Sequence, residues 1–482
     1  MTVMTAFAWC GIFFLIACLL RAKVKFLGDM LVPCCLIGGL LGCIFVNTTG
    51  LYGCEVSDFT PISGQLYTFM FINLGLTLGA KKGDEPKLKS EGGLKGLRQK
   101  VANSQFSGIF GMGSYWAIAY SFQALIAFAI LMAIGSLWDM NPVYGLLIPF
   151  GFAQGPGQAV TYGTVIEGAG WPDAIQVAML FAAVGFIVAF LFGVPFAKKG
   201  MQKGIACSKT RPNEYLSKGF FPPEKQESYG KVTTYGGSLD VMTLHLALIG
   251  LCWVGGLLLG KVWLLVPGYF GQLFSSLLFF NGMLVAYAVR WALGKLGFHK
   301  YMDRGTQERI TNAATDMMVM ATFMAINFQV VGKWIIPTMV CCVVVAIVTW
   351  VTIKYFAPRF GGSNDFERLL GEWGTVTGTN ATGLALVRIV DPNNDTTTAA
   401  ELGPANAVNV PASYIVAPAI CAYAAGEMGL PVFLVSMIGV IVGYLIFMKL
   451  IGVWGKKTFD IKKGEKYRDG KCYQRNGEPV NE

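Results

Sequence analysis

Long apolar runs alternate with short polar connections along almost the whole chain. Many approach or exceed the ~20 residues that cross a hydrocarbon core. The pattern predicts an all-α polytopic membrane protein. Spans are expected at 3–20, 27–46, 60–79, 115–137 and 174–197 in the first half. The second half predicts 240–260, 263–296, 313–332, 335–356, 410–426 and 430–452. The first run begins at once, without a basic n-region or small-residue cleavage site, and is expected to be a transmembrane helix rather than a signal peptide.

The halves echo one another. Thr68-Phe69-Met70-Phe71-Ile72-Asn73 recurs as Thr322-Phe323-Met324-Ala325-Ile326-Asn327. Leu31-Val32-Pro33 precedes Gly38-Gly39, as Leu265-Val266-Pro267 precedes Gly271. Polar glycine-rich runs follow at Gly151–Gly163 and Gly371–Gly383. The three echoes keep their order, which marks an internal repeat of the kind found in secondary transporters. Five spans in the first half put the second half in from the opposite side, so two inverted repeats are expected. The first is 1–197, with a re-entrant hairpin at 145–166. A cytoplasmic linker at 198–236 joins it to the second, 237–454, with a hairpin at 366–388. A basic tail, 455–482, ends the chain.

The glycine-rich runs cannot be ordinary lipid-facing helices. Glycine and proline break the intrahelical ladder, and hydrocarbon offers no replacement partners. A half-helix in, a turn and a half-helix out would present free N–H groups to an anion and carbonyl and hydroxyl oxygens to a sodium ion. The expected anion-site residues are Gln154, Gly155, Pro156, Gly157, Gln158, Thr161, Thr379, Asn380 and Thr382, with Arg388 holding a carboxylate through its planar fork. Arg388 also suits an interfacial anchor or a partner for Asp391 or Glu372. The expected sodium-site residues are Asn73, Asn327, Thr375, Thr377, Gly378 and Asn380. Asn73 and Asn327 also suit bracing of the hairpin backbones or helix–helix hydrogen bonding. Asp316 is expected near the start of its helix, as a partner of the helix N-terminus or as a coupling-ion ligand.

Of the 482 residues, 54% are hydrophobic and 14% charged, against ~25% charged in soluble domains. The net charge of +10 lies in the connections, where it orients the protein rather than binding nucleic acid. The basic stretches after the first and third spans, between the halves and in the tail are expected inside. The connection at 47–58, with Glu55, Asp58 and no Lys or Arg, is expected outside, as is the N-terminus, with the C-terminus cytoplasmic. Lys261, Lys333 and the acidic stretch Asp391–Glu401 run against this rule. The cysteines are scattered and read as free and buried, and His245 and His299 as structural. No HExxH, GxSxG serine or His/Asp pair appears in the spans, so an enzyme is not expected.

The chain resembles the bacterial glutamate:sodium symporter family over nearly its whole length. Val32-Pro33, Gly38-Gly39-Leu40-Leu41 and Asn73-Leu74-Gly75-Leu76 carry the likeness. So do Gln154-Gly155-Pro156-Gly157-Gln158-Ala159 and Gly374-Thr375-Val376-Thr377-Gly378-Thr379-Asn380-Ala381-Thr382. The first hairpin departs from the family's Gly-Gly-His-Gly pattern. The resemblance implies a fold similar to citrate:sodium symporters and a homodimeric elevator in the cell membrane. It also implies sodium-coupled symport of glutamate or a related small organic anion. A carrier of a different carboxylate or amino acid, an exchanger or exporter, and an ion channel are the alternatives.

Overall fold

The computed structural model describes residues 2–29, 32–77, 104–206, 224, 226, 228, 230–362, 364–391, 396–468 and 471–473. Most of the basic connection read at 80–114, much of the 198–236 linker and the end of the tail lie outside the described residues.

The described chain is almost entirely helical. The first half forms α1 (Thr2–Lys23), α2 (Lys25–Asp29), α3 (Cys34–Thr48), α4 (Phe59–Thr77), α5 (Ser104–Ile134), α6 (Ile148–Phe152), α7 (Pro156–Gly168) and α8 (Ala174–Gln202). The second forms α9 (Val241–Trp263), α10 (Tyr269–Ser276), α11 (Leu278–Lys295), α12 (Arg304–Met324), α13 (Phe328–Gly332) and α14 (Ile335–Phe356). It continues with α15 (Asp365–Val376), α16 (Asn380–Val390), α17 (Thr398–Ala424) and α18 (Leu430–Ile451). Three short antiparallel strands follow, β1 (Phe459–Asp460), β2 (Glu465–Arg468) and β3 (Lys471–Tyr473).

Among the described residues, seven helices are long and apolar enough to cross a membrane, or eight if α10 and α11, bent by 72°, form one span. Of the remaining expected spans, α3 has only 15 residues. α4 carries Ser63, Gln65 and Asn73, and α12 carries Arg304, Glu308, Arg309 and Asp316. Such helices are too polar to face lipid all round and need a protein partner.

The chain divides into two compact units, each assembled from both halves of the sequence. The first holds α1, α3, α4 and α9–α12. Here α3 packs the face bearing Gly38, Gly39 and Gly42 against Met320, Phe323 and Met324 of α12. The first repeated word lies on α4 and the second runs over the end of α12, two helices that pack closely. Ser63 and Thr322 share a buried hydroxyl hydrogen bond of 2.6 Å. Asn73 donates to the Gln307 carbonyl at 2.7 Å and to Thr311 Oγ1 at 2.8 Å. Side-chain caps start both polar-flanked helices of this unit: Asp240 accepts from the Thr243 N–H and Asp303 from the Thr306 N–H. His245 is buried and takes the Asp303 N–H on Nε2.

The second unit holds α5–α8, α13–α18 and the strands. α5 is its axis, packing against α14, α17 and α18 and against both pairs of short helices. An aromatic cluster of Trp373, Trp350, Phe192 and Phe196 ties α15 to α8 and α14. The strands pack back beneath α15. Phe459 meets Phe366 edge-on at 5.6 Å, and Thr458 Oγ1 donates to Asp365 Oδ2 at 2.7 Å.

Candidate functional site

Both glycine-rich runs form helix–turn–helix pairs within the second unit. In the first pair, Pro149 sits in the first turn of α6, and α6 ends at Phe152. Gly155 then adopts φ 84°, ψ −177°, a region essentially reserved for glycine. Pro156 opens α7, where a missing N–H costs nothing. The pair folds back on itself, with Phe150 stacked on Tyr162 at 4.4 Å.

In the second pair, α15 ends at Val376 and α16 begins at Asn380, with Thr379 Oγ1 as the cap for the Thr382 N–H. Here the two backbones touch: a Cβ on Gly374 would sit 2.7 Å from Gly383 Cα.

The two turns meet. A Cβ on Gly155 would lie 2.9 Å from the Gly378 carbonyl oxygen and overlap Thr379 Cγ2. The N-termini of α7 and α16 therefore converge. α7 has no side-chain cap, so the N–H groups of Gly157 and Gln158 lack intrahelical acceptors, as do those of Asn380 and Ala381. Thr379 and Asn380 are half-buried and Ala381 is exposed, which leaves this point open to a ligand.

One helix holds both turns. Trp116 Nε1 donates to the Ala153 carbonyl at 2.6 Å, Tyr120 to Gln158 Oε1 at 3.2 Å, and Gln123 Nε2 to the Val376 carbonyl at 3.0 Å. The spacing i, i+4, i+7 puts all three on one face of α5. A polar chain runs on from the first turn: Gln158 Nε2 donates to Gln154 Oε1, and Gln154 Nε2 to Ser413 Oγ, each at 3.2 Å. Asn409 Nδ2 donates to the same Ser413 oxygen. Ser413 and Asn409 flank Pro411 inside α17, where proline leaves the Ala407 carbonyl without its helical donor.

The structure thus gathers Gln154, Gly155, Pro156, Gly157, Gln158, Gly378, Thr379, Asn380 and Thr382 at the paired turns. Thr161 lies one turn into α7, its hydroxyl donating to the Gly157 carbonyl. The hydroxyls of Thr375 and Thr377 donate to Gly371 and Trp373 carbonyls, leaving oxygen lone pairs for a cation. Asn73 and Asn327 are not part of the unit that carries the paired turns. Both belong to the first unit, where Asn73 braces α4 against α12 and Asn327 follows the end of α12. Arg388 is not gathered at the turns: it is exposed in the last turn of α16, roughly 12 Å along the axis from Asn380.

Among the described residues, the wholly buried cation is Arg368. It donates through Nε and Nη2 to Glu401 at 2.7 and 2.8 Å, and through Nη1 to Asp365 at 2.8 Å. All three side chains are wholly buried. Asp365 also accepts from the Gly361 and Gly362 N–H groups, and Glu401 from Thr397. This cluster fixes the start of α15. One turn further, Glu372 is wholly buried, and no described residue donates to either of its oxygens.

These elements define a multi-pass helical membrane protein whose polar groups converge on two interrupted helices. The family model for sodium/glutamate symporters matches residues 112–365, just over half of the chain. The protein belongs to that family, a family of transporters and not of enzymes. The match includes the first helix pair and stops where the second begins. No curated protein matches the chain.

Proposed function

We propose that the protein is a sodium-coupled symporter of glutamate or a related small organic anion, working by alternating access. The observation that carries this reading is the convergence of the α7 and α16 N-termini at Gly155 and Thr379, with four first-turn N–H groups that have no intrahelical acceptor. Helix N-termini favour anions by about 0.3–1 kcal/mol each at exposed sites, and more when partly buried. Thr375, Thr377, the Gly378 carbonyl and Asn380 supply oxygens for sodium beside them. Opposite charges in one dry site offset each other's desolvation, so each ligand raises the other's affinity by the same factor.

The helix pairs act as re-entrant hairpins, and the unit that carries both moves as the elevator of a homodimer in the cell membrane. Inverted repeats, an outside N-terminus and a cytoplasmic C-terminus follow from the charge pattern and the ordered echoes. Uptake of labelled glutamate into proteoliposomes tests the reading. Glutamate should accumulate under an inward sodium gradient and not under potassium. A thermal-shift screen with other carboxylates, with and without sodium, identifies a different anion. Stabilisation by no carboxylate in sodium would sink the proposal.

A further inference from the structure

Glu372 takes no part in the site described so far. It lies on α15 between Arg368, one turn before, and Val376, one turn after, where the second helix pair begins its turn. Its side chain is wholly buried. An ionised carboxylate in such a place, without a donor, costs several kcal/mol or more.

The charged groups around it offer no relief. Arg368 is committed to Glu401 and Asp365. On the other elements packed against α15, α5 presents Tyr115, whose hydroxyl is bound to the Thr349 carbonyl and Thr352 Oγ1. α14 carries Lys354, whose Nζ lies over the Trp350 ring, and the 3-10 turn Ala357–Arg359 that follows it carries Arg359, which lies over the Tyr355 ring. α16 carries only the exposed Arg388. α17 carries Glu401, already paired. The basic residues of α8, Lys198 and Lys199, stand more than two turns past Ala189, whose carbonyl marks the level of Trp373. Among the described residues, no three His, Cys, Asp or Glu side chains group as metal ligands. A sodium ion needs a shell of oxygens, whereas a proton needs one.

We propose that Glu372 is a proton-binding carboxyl of the transport cycle, so that the carrier moves a proton on α15 together with its anion. The proton comes from water on one side, sits on a carboxyl oxygen while the helix is closed, and returns to water on the other; no other bond changes. Buried ionisable residues in membrane segments commonly serve this way. Because α15 carries Thr375 and leads directly into Thr377, loading the proton and filling the turn act through one helix and its cap. The inference rests on the carrier reading above for its cycle, though not for the proton site.

Infrared spectroscopy on purified full-length protein tests the site without transport. The wild-type spectrum at neutral pH should show the C=O stretch of a protonated carboxylic acid that Glu372→Gln lacks and Glu372→Asp retains. Ionised carboxylate bands in its place would overturn the proposal. If Glu372→Gln does not fold, the same comparison is made with Glu372→Asp, whose shorter arm shifts the band. In proteoliposomes under a fixed sodium gradient, acid outside should speed wild-type glutamate uptake several-fold and leave Glu372→Gln unchanged. Equal pH responses in both would also overturn it. Absence of any sodium-driven uptake would instead count against the symporter reading, and the infrared result would still decide the proton site.

Discussion

Replacing Gly155 by Ala attacks the contact on which the binding reading depends. At φ 84°, ψ −177° an alanine carries about 1–3 kcal/mol of backbone strain. Its methyl would also overlap Thr379 Cγ2 and crowd the Gly378 carbonyl, and overpacking of this kind costs about 1–3 kcal/mol more. The two terms together are on the order of 2–6 kcal/mol. Part of the strain is relieved by parting the turns, and each 1.4 kcal/mol or so that reaches the liganded state lowers affinity tenfold. We expect a lower melting temperature in detergent and at least a tenfold fall in sodium-driven uptake.

Thr379→Ser removes the Cγ2 methyl, so Gly155→Ala combined with Thr379→Ser should recover the steric part and leave the backbone part. Gly168→Ala is the control: it lies at the end of the same helix with nothing within 4 Å of the new methyl. It should be neutral or gain up to about 1 kcal/mol. Unchanged melting and uptake in Gly155→Ala, or no recovery with Thr379→Ser, would refute the convergence of the two turns.

Glu401→Gln sets an amide against two Arg368 N–H groups and should destabilise the protein by about 3–5 kcal/mol, the usual cost of breaking a buried pair; Arg368→Met with Glu401→Leu, read by the same thermal melts, should cost less than either single change. Asn73→Leu should lower stability by about 1 kcal/mol without altering the sodium concentration for half-maximal uptake, because Asn73 braces α4 on α12. Arg388→Gln should leave glutamate affinity, measured by calorimetry, within about 1 kcal/mol, as for most exposed positions.

The two glycine-rich runs were legible because glycine and proline at membrane depth have few physical uses. Their meeting point was not, since it depends on Gly155 meeting Thr379, more than 200 residues further along the chain. Asn73 and Asn327 closed a repeated word, which marks symmetry but not role, and an asparagine braces helices as readily as it binds an ion. The choice of Arg388 over Arg368 turned on which side chain is buried. α15 mixes Asp365, Glu367, Arg368 and Glu372 with Leu369 and Leu370, and that density of charge in a short helix beside apolar spans was the available signal. The α5 stripe of Trp116, Tyr120 and Gln123 was another: three polar-tipped residues on one face of an otherwise apolar span. Asn409 and Ser413, four apart around Pro411, were a third.

The hydrogen bond from Thr458 to Asp365 spans 93 residues of sequence. A ribosome adding about 5–20 residues per second takes roughly 5–20 s to cover that distance. During this interval Asp365 lacks one of its donors, and Glu401, 33 residues downstream of Arg368, arrives only part of the way through. If the α15–α16 pair is the re-entrant hairpin proposed above, it would enter the bilayer with its charged base unfinished. Biogenesis of this protein should depend on its last strands, and truncation after α18 should be read first in yield rather than in turnover.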